Sequence, residues 1–283
     1  MKASTTLDFV VIGAEKSGTT LLVDRLRRSA GIALPATEVR SFRDPFYPNR
    51  EPLTGHFSPD ETRLKGIKHP IYLSRPEVPV RLAAHNPRIK LIALLREPVS
   101  RAIASYLHYI RHGQLPCVEP NEGIPHMLAS PGAHPKYRDI LQSSAYSQSV
   151  ERYLQHFPRE SLHIEPYEAF VTSPDPLARI FTFLNVDVPT EVWPLPHVNR
   201  GAYDWSRIIH EHALARARLI YDEAWNIIGR GDSSAIDTSQ GAPSPVVVAP
   251  EIREALKQRF SAEGQRLVEL GVFNADPWTS VRN

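Results

Sequence analysis

Apolar residues fall in short blocks along the chain, and the spacing inside the blocks changes in a regular way. Phe9-Val10-Val11-Ile12 is continuously apolar and mostly β-branched, which predicts a short strand buried on both faces. The loop Gly13-Ala14-Glu15-Lys16-Ser17-Gly18-Thr19-Thr20 follows. Leu21, Leu22 and Leu26 then recur with Arg25, Arg27 and Arg28 between them, an amphipathic helix that Gly31 stops. Ile32 to Leu34 predicts a second short strand, Leu64 to Lys68 another, and Pro76 to His85 a short helix. Ile89 to Leu95 is the clearest strand, leading through Arg96-Glu97-Pro98 into a helix that reaches about His112. A helix from Ser147 to His156, a strand from Leu162 to Ile164 and a helix from Pro174 to Leu184 continue the alternation. The last third reads as helical, over Trp205 to Ile228 and Glu251 to Leu270. Strands alternating with helices imply an α/β fold: a three-layer sandwich around a central, mostly parallel sheet, forming one domain over 1–283 with a helical C-terminal third.

Three stretches interrupt this pattern. Residues 41–59 are rich in Pro, Arg and aromatics and show no period, and 113–140 hold many Pro, Gly and His, so both read as loops. Residues 229–250 are rich in Gly, Ser and Pro and are expected to be a mobile loop. Long loops without structure in a compact domain tend to be functional.

Composition narrows the chemistry by exclusion. A formal net charge of +2 with no block of like charges argues against charge-driven binding of nucleic acid, though not against a local anion site. The single cysteine, Cys117, leaves no intrachain disulfide and no cysteine-only metal cage. His108 and His112 have the spacing of metal ligands, but no third ligand lies near them, and no metal is expected. No apolar run approaches the roughly 18 residues of a membrane span. The apolar segment Leu7 to Ile12 is too short for a signal peptide, so a cytoplasmic enzyme is the expectation.

The loop after the first strand is where an anion site is expected. In a parallel α/β sheet such a loop lies at the carboxyl edge, where backbone N–H groups and the positive helix end face outward. Lys16 adds a charge, and Ser17, Thr19 and Thr20 add hydroxyls beside Gly18. A Walker A loop has Lys-Ser/Thr after its last glycine; here Thr19 follows Gly18 and the lysine precedes it. The usual Mg²⁺ ligand and γ-phosphate clamp are therefore missing. Arg96, where a buried strand meets a helix, is placed to grip a second anion with its planar fork.

The two motifs together resemble a known family. Gly13-x-x-Lys16-x-Gly18-Thr19-Thr20 resembles the 5′-phosphosulfate loop of sulfotransferases that use 3′-phosphoadenosine 5′-phosphosulfate (PAPS). Arg96-x-Pro98-x-x-Arg101 resembles their 3′-phosphate motif. The likeness is nearest to the branch of heparan sulfate sulfotransferases and many bacterial relatives, and it covers nearly the whole chain. Glu38-Val39-Arg40-Ser41-Phe42 is similar to that branch's E-V-H-F-F, and Gly66-Ile67-Lys68-His69-Pro70-Ile71-Tyr72 to its G-E-K-S-P-x-Y. Tyr146 through Arg159, Tyr167-Glu168, Phe183-Leu184 and the tail with Leu270-Gly271 and Trp278 follow the family's order. Three positions depart: Ala104 stands where the family serine lies, with Ser105 one later; Ile67 replaces a glutamate; Ser41 replaces an aromatic.

The resemblance implies in-line sulfuryl transfer from PAPS to a hydroxyl or amine of a small-molecule or carbohydrate acceptor, without a metal. It puts Glu38 in the position of general base, a role that partial burial would suit. Lys16 would stabilise the departing oxygen. Lys68 would bind the sulfuryl oxygens or hold Glu38. His69 is the competing base. Lys16, Ser17, Gly18, Thr19, Thr20, Arg96, Ser105, Tyr146 and Arg200 would bind the nucleotide, Asn199-Arg200-Gly201 as a lid. Two other readings remain: a nucleotide-dependent phosphotransferase of the P-loop kinase kind, and a non-catalytic nucleotide-binding protein.

Overall fold

The computed structural model describes residues 5–47, 53–189, 203–218, 220–221, 227–229, 231 and 244–279. In chain order the regular elements are β1 (Phe9–Gly13), α1 (Thr19–Leu26), β2 (Ile32–Ala33), β3 (Leu64–Lys68), α2 (Glu77–His85), β4 (Lys90–Leu95) and α3 (Pro98–Arg111). Next come α4 (Pro120–Ala129), α5 (Pro135–Ser144), α6 (Tyr146–Leu154), β5 (Leu162–Pro166), α7 (Tyr167–Thr172) and α8 (Asp175–Leu184). The last are α9 (Trp205–Arg218), β6 (Ile220–Tyr221), β7 (Ile227–Gly229), α10 (Pro250–Arg259) and α11 (Glu263–Glu269).

The first five strands form one parallel sheet in the order β2-β3-β1-β4-β5, flanked by helices, as expected. From β1 the chain runs outward to β2, returns to β3 beside β1, and then crosses to β4 on the other side. This reversal makes the carboxyl ends of β3, β1 and β4 a topological switch point, where α/β sheets bind ligands. Alternate residues of the central strands enter two cores. Val10, Ile12, Ile67, Leu91, Ala93 and Leu95 pack with Val78, Leu82, Val150, Tyr153 and Trp278. Phe9, Val11, Ile92 and Leu94 pack with Leu22, Leu26, Ile180 and Phe181 on the opposite face. Burial on both faces explains why these strands read as unbroken apolar runs. Phe9 pairs in register with Gly66, and a Cβ at 66 would stand 2.1 Å from its ring. Only glycine leaves room for that ring.

The chain divides into two compact units, 1–97 with 145–196 and 262–283, and 98–144 with 197–261. The first contains the five-stranded sheet. The second is mainly helical, with its own core of Val99, Tyr106, Ile110, Ile140, Ile208, Leu256 and Phe260 among others.

Several expectations change. Residues 113–140 contain α4 and α5 rather than a loop: Pro120 and Pro135 occupy first helical positions, where their missing N–H is no loss. The helix begun at Trp205 ends at Arg218, and β6 and β7 then pair antiparallel. The last helix is two, broken between Arg259 and Glu263. α7 answers to no element expected from the sequence. Residues 41–47 and 53–59 carry only short 3-10 turns, as a loop should. Most of 229–250 lies outside the described residues.

Candidate active site

The loop after β1 is shaped by two left-handed residues. Ala14 N–H bonds the Leu94 carbonyl at 2.8 Å, which ties the loop to β4. Lys16 then turns at φ 64° and Gly18 at φ 79°. A non-glycine residue in that region costs about 1–3 kcal/mol and persists where the surroundings enforce it. At Gly18 a Cβ would lie 2.9 Å from the Tyr167 ring, so both conformation and space demand glycine. α1 begins at once, with no side-chain cap and no acidic residue in its first turn. Its orphan N–H groups and positive dipole end are thus open to an anion. The Ser17 hydroxyl is buried and has no hydrogen-bond partner. Leaving such a group unsatisfied costs about 1–3 kcal/mol, which a ligand oxygen would recover.

Arg96 follows the last residue of β4. It is half-buried, makes no ion pair among the described residues, and holds one long hydrogen bond to the Lys16 carbonyl at 3.4 Å. Its guanidinium lies 5.2 Å above the centre of the Tyr167 ring. A cation held over a ring face keeps its N–H donors for a phosphate. Tyr146, expected to contact the nucleotide, is buried, and its hydroxyl donates to the Arg96 carbonyl at 2.9 Å. It supports the turn from within. Ser105, expected at the 3′-phosphate, is also buried and accepts from Arg101 Nη1 at 3.0 Å, while Arg101 Nε bonds Ser144 Oγ at 2.7 Å. Its oxygen thus helps to satisfy a buried cation. Asn199-Arg200-Gly201 lies outside the described residues.

Lys68, the last residue of β3, brings the acid–base groups together. Its Nζ donates to Glu38 Oε1 at 2.6 Å and to Thr20 Oγ1 at 3.3 Å, so Glu38 is tied to the first turn of α1. Of the two roles left open for Lys68, holding Glu38 is the one this geometry displays. The Glu38 side chain is 43% exposed, more open than the expected partial burial. Tyr72 fixes the same segment: its hydroxyl donates to the Val39 carbonyl at 2.6 Å and accepts the Phe42 N–H at 3.2 Å.

His69 is a poor base. It is buried, stacked 4.8 Å from Tyr72, and its Nδ1 accepts the Ile71 N–H at 3.4 Å. Burial chiefly, then Arg43, Arg40, Lys68 and Arg75, lower its pKa to about 3. An imidazole that resists protonation this strongly cannot take a proton from a hydroxyl near neutrality.

No protein-family model matches the chain. Among curated proteins it is 27% identical over 197 residues to heparan sulfate glucosamine 3-O-sulfotransferase 5 of Mus musculus, covering 62% of this chain and 53% of that protein. It is 28% identical over 238 residues to the bifunctional heparan sulfate N-deacetylase/N-sulfotransferase of Drosophila melanogaster, covering 74% of this chain and 22% of that one. A solved sulfotransferase from Alicyclobacillus acidocaldarius superposes with a TM-score of 0.64 at 20% identity, over 94% of this chain and 96% of its own, a likeness of fold. The chain is similar to sulfotransferases in sequence and in fold.

The chain thus spans about half the length, or less, of these two curated sulfotransferases. Around the site, two residues that the sequence gave no role stand out: Tyr167, which packs against Gly18 and carries Arg96, and Tyr72, which grips the Glu38 segment. Both sit in stretches whose resemblance was visible, but only the folded contacts show what their rings and hydroxyls do. No group of three or more His, Cys, Asp or Glu among the described residues is arranged to hold a metal ion. No described helix is long and apolar enough to cross a membrane.

Proposed function

We propose that the chain transfers a sulfuryl group from PAPS to an acceptor hydroxyl or amine, with Glu38 as general base. The observation that carries this reading is the set of donors along one sheet edge that lack a full partner among the described residues: the open start of α1, the Ser17 hydroxyl and the Arg96 fork, which makes no ion pair there. Two separate anion sites suit a nucleotide phosphorylated at both 3′ and 5′ positions. The absent Walker lysine, replaced by Thr19, disfavours a nucleoside triphosphate.

In the proposed step the acceptor oxygen attacks sulfur opposite the bridging oxygen, and the S–O bond to the 5′-phosphate breaks as the new one forms. The acceptor proton passes to Glu38 Oε2 while Lys68 holds Oε1. The charge left on the 5′-phosphate of adenosine 3′,5′-bisphosphate is met by Lys16 and the amide groups at the start of α1. Such a reaction needs positioning and charge stabilisation more than covalent chemistry by the protein. The curated relatives are named for glucosamine of heparan sulfate; for this chain a small-molecule or carbohydrate acceptor is proposed.

Incubation with PAPS carrying labelled sulfur and a panel of sugars, phenols and amines tests the reading. Label should appear in at least one acceptor with release of the bisphosphate, and without added Mg²⁺. Phosphate transfer from ATP with no sulfur transfer would overturn it.

A further inference from the structure

The peptide between Arg96 and Glu97 is gripped at both ends by side chains, the buried Tyr146 and the partly buried Glu168. Its carbonyl accepts the Tyr146 hydroxyl at 2.9 Å. Its N–H donates to Glu168 Oε1 at 2.9 Å. Both anchors meet the fully buried Trp278: the indole Nε1–H donates to Glu168 Oε2 at 3.2 Å, and the indole lies 5.9 Å from the Tyr146 ring. Tyr167, beside Glu168 at the start of α7, carries the Arg96 guanidinium and packs against Gly18. Burial, the first cause, raises the Glu168 pKa against the opposing pull of the Glu97 amide, the Trp278 indole and nearby Arg96. A carboxylate kept there against desolvation serves something other than sheet closure, because Leu95 already pairs with Pro166 in register.

We propose that Glu168, held by Trp278, is a positioning residue that fixes the Arg96–Glu97 peptide plane and so the direction in which Arg96 meets the nucleotide's phosphate. An arginine side chain is long, and a small rotation of its backbone swings the fork out of bidentate reach. The tail of the chain thereby acts on the ligand through two relays, Glu168 and Tyr146, without touching it. This inference rests on the sulfotransferase reading for the identity of the nucleotide.

The test is calorimetric binding of adenosine 3′,5′-bisphosphate and adenosine 5′-monophosphate to the full chain, with thermal midpoints as a check on folding. In Glu168→Gln the preference for the bisphosphate should fall about three- to tenfold, with the monophosphate affinity changed less than about twofold. Trp278→Phe should move the preference the same way by less. Tyr146→Phe cuts the other end of the peptide and gives an independent measurement should Glu168→Gln fail to fold. Combined with Arg96→Ala, Glu168→Gln should add nothing further to the loss of preference, because its effect runs through Arg96. A folded Glu168→Gln protein with the preference intact, or with both affinities lowered equally, would overturn the inference. A wild-type protein with no preference for the bisphosphate would overturn the nucleotide assignment itself, and the positioning role with it.

Discussion

The donor edge and the Glu38 segment solve opposite problems with the same kinds of residue. Along the donor edge, among the described residues, Ser17 lacks a hydrogen-bond partner, Arg96 makes no ion pair, and α1 begins without a side-chain cap. Around Glu38 the groups answer one another: Lys68 bonds the carboxylate and Thr20, and Tyr72 ties down Val39 and Phe42. Unanswered donors held on rigid elements are preorganised for an anion that arrives with the ligand. A carboxylate already bonded to a lysine is a base whose direction is set before the acceptor binds. The contrast separates binding from chemistry, and substitutions on the two sides should fail differently.

The largest effect is expected on the chemical side. Glu38→Gln should lower kcat by about 10²–10⁴ while leaving bisphosphate affinity within twofold, measured by steady-state kinetics and calorimetry. Lys16→Ala should cost about 2–4 kcal/mol of transition-state stabilisation, roughly 10²–10³ in kcat. Full activity in either variant would remove that residue from the mechanism. Arg96→Ala should act on binding instead, losing about 1.5–3 kcal/mol for the bisphosphate and little for adenosine 5′-monophosphate.

His69 sharpens the comparison through pH. Its pKa falls on folding from the ordinary 6.5 to about 3, so the unfolded chain takes up a proton where the folded chain does not. Its contribution is complete above about pH 6.5 and is lost as pH falls toward 3, by at most about 1.4 kcal/mol per pH unit. Urea midpoints followed across this window should slope less in His69→Gln than in the wild type. An unchanged slope would mean that His69 is not the buried neutral group described. The smallest effect is expected for Ser105→Ala, which should leave nucleotide affinity within about twofold. Its consequence is for stability, because a donor of buried Arg101 then lacks a partner, at about 1–3 kcal/mol.

Much of the sheet was legible because both faces of each central strand are buried, which turns the strands into unbroken apolar runs such as Leu91-Ile92-Ala93-Leu94-Leu95. The phosphate loop was legible for a related reason: Gly18 is dictated by backbone conformation and by the Tyr167 ring. Helices α4 and α5 were hidden because Pro120 and Pro135 look like breaks unless their place at a helix start is known. The bond from Arg101 to Ser105 was hidden because spacing along the chain carries no record of Arg101's need for acceptors. Tyr146 and Glu168 show the same limit. Their order in the chain was recognisable, but that they grip one peptide from both ends is a fact of packing.

The central claim is that the donor edge reads a nucleotide phosphorylated at both its 3′ and 5′ positions. Calorimetric titration of the full chain with adenosine 3′,5′-bisphosphate and with ATP, each with and without Mg²⁺, tests it most directly. The account predicts tight binding of the bisphosphate and weak binding of ATP, neither altered by the metal. Preference for ATP, or binding that depends on Mg²⁺, would contradict it.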